Sequence, residues 1–190
     1  MIDEDAPDAD LARRAAGGDD AAFSVLMRRH KTALYRFARR YVGEPDAAFE
    51  VVQETFASAW GHLSRYDPSR SLTTWLRAIA LNKCRDRARR DVVRRLVMWR
   101  RDFDSGEALD LADPAAGAEA ALIDSERRAA LDAAIAALPA KLKEPLILTA
   151  FEEMSHQEAA RLLGVTPKTI ETRIYRARRR LAEALSGLES

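Results

Sequence analysis

Apolar residues recur along most of this chain at steps of three and four, the period of helices that bury one stripe. Phe23, Leu26, Met27, Leu34, Phe37, Ala38 and Tyr41 form such a stripe on one long helix. Asp19 or Asp20 opens that helix, and Gly43 follows its end near Val42. Pro45 and Asp46 start the next one, to about His62, with Phe49, Val52, Phe56 and Trp60 expected inside. Leu63–Ser71 reads as loop from its Asp-Pro-Ser content. The helix after it holds Trp75, Leu76, Ile79, Ala80 and Cys84 and continues into Arg85, Arg87, Arg89 and Arg90. Later, Ala130, Leu131, Ala134, Ile135 and Leu138 mark a helix from Glu126 to Ala137 that Pro139 breaks. Leu142, Leu146, Ile147, Leu148 and Phe151 mark another. The pattern predicts an all-α protein.

The polar positions are most informative from Ser155 onward. Ser155 with Glu158 three residues later is a capping box, so a short helix starts there. Gly164 ends it, Thr166 caps a second helix, and Pro167 takes that helix's first position. Two helices joined by so tight a turn are a helix-turn-helix. In the second helix Ile170, Ile174, Ala177 and Leu181 form the packing stripe. Lys168, Thr172, Tyr175, Arg176 and Arg179 lie about half a turn away, with Arg173 at the edge. Guanidinium forks, a hydroxyl and an aromatic ring are groups that meet phosphates and base edges in the major groove. Such a face alone would fit a solvated basic helix; the capped turn in front of it points to duplex DNA.

Composition adds less than distribution. Net charge is only +1, yet Lys83–Arg101 holds nine basic residues against Asp86 and Asp91. Asp102–Asp124 then holds seven acids and no Lys or Arg, with Gly106, Pro114 and Gly117 among them, and reads as a flexible linker. At 190 residues there is room for one or two domains, each able to bury a core. The first ten residues are acidic and expected to be loose, with no signal-peptide character, and Asp10–Ala16 can form a short helix. The single cysteine, Cys84, excludes an internal disulfide, fits a reducing cytoplasm and is expected to be buried. No apolar run approaches a membrane span. His30, His62 and His156 lie apart without metal-ligand spacing, and no Gly-rich phosphate loop or nucleophile elbow appears. No catalytic residue, metal or cofactor is expected, so an enzyme is set aside.

Two ordered segments carry a family resemblance. Glu50-Val51-Val52-Gln53-Glu54-Thr55-Phe56-Ala57-Ser58-Ala59-Trp60, followed by Thr74-Trp75-Leu76-Arg77-Ala78-Ile79-Ala80-Leu81-Asn82, resembles region two of bacterial sigma factors. Leu138-Pro139, the helix-turn-helix and Arg173-Ile174-Tyr175-Arg176-Ala177-Arg178-Arg179-Arg180-Leu181 resemble region four. Both together, over residues 20–90 and 126–186, look like the extracytoplasmic-function group of the sigma-70 family. The resemblance implies two small helical domains joined by a flexible acidic linker: 1–19 flexible, 20–95 the region 2 domain, 96–125 linker, 126–190 the region 4 domain. It implies a promoter-specificity subunit of RNA polymerase, working in the cytoplasm, with the core clamp and flap, promoter DNA and an anti-sigma factor as partners.

Residue by residue, the resemblance gives Glu50, Gln53 and Glu54 to the clamp coiled coil of core polymerase. It gives Asn82 to an unstacked base of the minus-ten element, with Arg65, Tyr66, Arg77 and Arg85 as neighbours. Trp75 is open to two readings, a wedge at the melting fork or a core side chain. Lys168, Thr172, Arg173, Tyr175, Arg176 and Arg179 fall to the minus-thirty-five element, with Glu171 able to accept from a cytosine amino group. Phe49, Leu72, Leu81 and Glu171 depart from residues common in the family. Two rivals stand beside this reading: a free-standing helix-turn-helix regulator, and a sigma-like decoy that occupies an anti-sigma factor or core without initiating.

Overall fold

A computed structural model describes residues 5–99 and 129–186 of the chain. Its first helix, α1 (Asp8–Ala16), lies in the segment expected to be flexible. It is held because Leu11, Ala12 and Ala15 are buried against the next helix, while Asp8 reaches Arg29 at 2.8 Å and His30 at 2.7 Å. Acids in its first turn and arginines in its last also match the helix dipole.

Helix α2 (Asp20–Val42) starts where Asp19 accepts the Ala22 N–H at 3.0 Å and ends at Gly43, whose φ of 86° suits glycine. Helix α3 (Pro45–His62) returns antiparallel beside it, and a short 3-10 turn (Leu63–Arg65) leads into the loop. The Asp67 carboxylate accepts from the Ser69 N–H at 3.0 Å and its hydroxyl at 2.7 Å, fixing that loop before α4 (Leu72–Trp99). Helix α4 continues through Val92–Trp99, so the chain stays helical into the region expected as linker; the acidic stretch Asp102–Asp124 lies outside the described residues. Leu72, Leu81 and Cys84 are buried in its packing face. Two of the departures from the family pattern, Leu72 and Leu81, are therefore core residues.

The C-terminal half contains α5 (129–137), α6 (Ala140–Ala150), α7 (His156–Leu163) and α8 (Pro167–Ser186). Ile135, Ile147, Leu148 and Ile170 are fully buried where α8 packs on α6. One hydrophobic core runs continuously through both halves of the chain.

Three residues expected inside are not. Met27, Phe49 and Trp60 are 38%, 44% and 41% exposed. Helices α1 and α4 cover α2 and α3 from other sides, so the apolar stripe is wider than its cover. The uncovered part, with Phe23, Val52 and Phe56, forms an open groove of about 840 Å³. Trp60 packs against Phe23 at a centroid distance of 4.8 Å. The Lys31 ammonium lies 5.5 Å from the Phe49 ring, a cation–π contact.

Candidate nucleic-acid interface

The helix-turn-helix is built by short-range bonds. Ser155 Oγ accepts the Glu158 N–H at 3.2 Å, while Glu158 Oε2 takes the Ser155 N–H at 2.9 Å and its hydroxyl at 2.7 Å. These bonds hold the Glu158 carboxyl below its ordinary range. Gly164 adopts φ 65° and ends α7. Thr166 Oγ1 accepts the Thr169 N–H at 3.2 Å and starts α8. With Ile170, Ile174 and Ala177 turned inward, α8 shows the opposite face to solvent. Lys168, Glu171, Thr172, Tyr175, Arg176 and Arg179 are all exposed, Arg173 half-buried. Lys168 donates to Glu171 at 2.8 Å, which lowers the Glu171 pKa and raises that of Lys168. Thr172 spends its hydroxyl on the Lys168 carbonyl at 3.0 Å, and Arg179 pairs with Glu183 at 3.3 Å. Among the described residues Tyr175 and Arg176 make no side-chain hydrogen bond, so their donors are available to a ligand.

The second cluster lies on α4 and the loop before it. Arg65, Trp75 and Asn82 come together with Ser58, His62 and Lys83 around a cleft of about 370 Å³. Asn82 is exposed there, and Trp75, half-buried, lines the cleft and also meets Tyr66 at a centroid distance of 5.3 Å. An amide, an indole and a guanidinium around one cleft can bond a base edge, stack on its face and hold its phosphate. Tyr66 is placed elsewhere: it is buried, and its hydroxyl donates to the Arg70 carbonyl at 2.6 Å, tying the loop closed. Arg77 and Arg85 also leave the cleft. Arg77 pairs with Glu152, and Arg85 makes a two-pronged bond to Glu144 through Nε (2.7 Å) and Nη2 (2.6 Å). The Arg85 Nη1 group stays within 3.5 Å of Asn82 Oδ1.

On α3, Glu50, Gln53 and Glu54 share one side. Glu50 pairs with Arg87 and Glu54 with Arg90 at 3.2 Å, both from α4. Gln53 is exposed on the rim of the apolar groove beside Phe49 and Trp60. Among the described residues no group of three or more His, Cys, Asp or Glu is placed to hold a metal ion, and no helix is long and apolar enough to cross a membrane.

Residues 26–94 match the family model for Sigma-70 region 2, and residues 128–181 that for Sigma-70, region 4. The chain belongs to the sigma-70 family. Within it, the extracytoplasmic-function group is its place. The chain is 37% identical to the RNA polymerase sigma factor NccH of Alcaligenes xylosoxydans xylosoxydans, covering 93% of this chain and 94% of that one. It is also 37% identical to CnrH of Cupriavidus metallidurans, covering 98% of both. The solved structure of CnrH in complex with the cytosolic domain of CnrY superposes with a TM-score of 0.65 at 34% identity, covering 95% of this chain and 97% of that one. That of the sigma factor RpoE with the anti-sigma factor NepR from Bartonella quintana gives 0.64 at 26% identity, covering 86% and 96%. A sigma factor binds core RNA polymerase and directs initiation at chosen promoters, and this chain is one.

Sequence reasoning about this sigma factor missed two sets of residues. Met27, Phe49 and Trp60 form an exposed apolar face where periodicity alone placed them inside. Glu144 and Glu152 reach cations on α4, and their sequence neighbourhoods carry no signal of partners so far away.

Proposed function

We propose that the three clusters divide the work of initiation. Glu50, Gln53 and Glu54 dock on the clamp coiled coil of core polymerase, with Phe49 and Trp60 extending that surface as an apolar neighbour. The cleft of Arg65, Trp75 and Asn82 takes an unstacked base of the minus-ten strand. The exposed face of α8 reads the minus-thirty-five element, led by Arg176 and Tyr175, with Lys168, Thr172, Arg173 and Arg179 on phosphates and Glu171 selecting against some base edges. The convergence of Trp75 and Asn82 from α4 with Arg65 from the 3-10 turn on one cleft carries this reading. The protein itself supplies no catalytic group; polymerisation belongs to the core enzyme, in the cytoplasm. Anti-sigma control is part of the reading, supported by the RpoE relative solved with its anti-sigma factor.

Transcription in vitro with purified core polymerase tests it. Discrete protein-dependent starts preceded by two shared elements are expected. Gln53→Ala with Glu54→Ala should weaken core binding, whereas Arg176→Ala should spare core binding and weaken duplex binding. Equal loss of both activities in either variant refutes the division of labour. Unchanged behaviour of Asn82→Ala and Arg176→Ala, with core still bound, would instead fit a decoy.

A further inference from the structure

One group on the wall of the minus-ten cleft has its hydrogen-bonding state set by the backbone beside it. His62, the last residue of α3, turns Nδ1 back on the Ser58 carbonyl at 2.8 Å. A carbonyl only accepts, so Nδ1 carries the proton, and the neutral ring keeps Nε2 as a bare acceptor on its outer edge. His62 is exposed and lines the cleft. Asn82, on the same cleft, is set in the complementary sense: Arg85 Nη1 faces its Oδ1 at 3.5 Å, which leaves the amide N–H groups for a ligand. Asp86, one turn further along α4, adds a carboxylate to the lining, and its pairing with Arg89 at 3.4 Å is exposed and loose. Trp75 and Ile79 supply the apolar surface of the cleft, Arg65 and Lys83 its cations.

We propose that His62 is a specificity-determining residue of this cleft: it selects an unstacked base with an exocyclic amino group, adenine or cytosine, over one with a carbonyl in that place. This rests on the cleft being the seat of the minus-ten base. In adenine and cytosine the amino group stands beside a ring-nitrogen acceptor. The amino group donates to His62 Nε2, the ring nitrogen accepts from the Asn82 amide, and the base face lies on the Trp75 indole. Guanine and thymine present the reverse order, a carbonyl oxygen beside an imide N–H. Their oxygen meets the lone pair of Nε2 and the Asp86 carboxylate, and their N–H meets the N–H groups of Asn82. Like groups are then desolvated against each other with neither bond made, which costs more than the simple absence of a bond. An amide can turn over to suit either order. A ring tied to a backbone carbonyl keeps its acceptor in place, so His62 decides the preference.

The test uses the full chain bound to core polymerase and a promoter found by transcription in vitro, opened over its minus-ten element. At each position of the unpaired strand adenine is exchanged for hypoxanthine, or cytosine for uracil, which puts a carbonyl in the amino group's place. Affinity is read by fluorescence titration. At one position the unaltered chain is expected to lose about tenfold, the scale of a donor–acceptor pair on a base edge; whether that position holds adenine or cytosine identifies the base. His62→Phe keeps a ring without nitrogen, and His62→Ala removes the ring. Both should bring the ratio at that position to about one and leave the effects of exchanges elsewhere as they were, a pattern that a purely structural role would not produce. A ratio still near tenfold in both variants overturns His62 as the reader. No position sensitive to the exchange in the unaltered chain, with Asn82→Ala still weakening binding, overturns the preference and leaves the cleft in place. Indifference to Asn82→Ala and to every exchange overturns the cleft itself.

Discussion

Replacing Ser155 with Ala removes one half of the capping box and disturbs the other. The Glu158 N–H loses its acceptor at 3.2 Å, and Glu158 Oε2 loses the hydroxyl it holds at 2.7 Å. Helix α7 is only eight residues long and buries little besides Ala159 and Ala160, so it has small reserves against a lost cap. An N-cap Ser replaced by Ala costs about 1 kcal/mol, which for a chain of this size lowers Tm by about 2–4 °C. Ser155→Gly should cost only about a few tenths of a kcal/mol, because glycine leaves the terminal N–H groups open to water. The acid side gives an independent check. Glu158 has its pKa lowered below the ordinary 4.5 by its bonds to Ser155. A group depressed in this way contributes stability above its unfolded pKa and loses it as pH falls through the folded value. The deficit of the Ser155→Ala variant should therefore shrink in acid below about pH 4. Thermal and urea unfolding of Ser155→Ala, Glu158→Ala and the double variant measure this. The two losses are expected to be non-additive, as for residues in contact. Additive losses, or a Gly variant as damaged as the Ala variant, would refute the reciprocal cap.

Three further outcomes follow from the same geometry. Ile170→Ala opens a cavity at a fully buried position under α8 and should cost about 2–5 kcal/mol in chemical denaturation, a loss large enough to abolish duplex binding through unfolding. Phe49→Ser removes a ring that is 44% exposed, so Tm should move little while core binding in a fluorescence titration weakens severalfold; normal core affinity would remove Phe49 from the docking surface. Duplex binding should fall steeply with salt, and Arg176→Ala should reduce the slope of log K against log salt by about 0.9 if the side chain neutralises one phosphate.

The parts legible in the sequence were those whose signals are local. Ser155 and Glu158, Gly164, and Thr166 with Pro167 each announce their bond or dihedral within a few residues, and the structure forms each one. Asp19 and Gly43 frame α2 for the same reason. Periodicity was less decisive for α3. It reports that Phe49 and Trp60 lie with Val52 and Phe56, but not how far the neighbouring helices extend to cover them. Tyr66 illustrates the opposite error. An aromatic in a polar loop beside arginines reads as a stacking platform, yet a bond to Arg70, four residues on, turns it into the loop's internal brace. The pairing of Glu144 with Tyr41 and Arg85 was out of reach, since it joins residues 103 and 59 positions apart.

These pairings also explain how a chain with a net charge of only +1 can serve nucleic acid. Cations on its proposed working surfaces are matched by acids of the same chain: Arg77 by Glu152, Arg85 by Glu144, Lys168 by Glu171, Arg179 by Glu183. The exposed pairs, on α8, are screened by solvent and weak, so a phosphate can take the cation at little cost. The buried pairs, on α4, are held by geometry and desolvation and are broken only at greater cost. Affinity for arbitrary DNA is therefore expected to be low, because a non-specific polyanion gains little by exchanging one carboxylate for another anion. On this reading the balanced charge is a source of selectivity: the acids set a threshold that a polyanion without the matching base edges does not exceed.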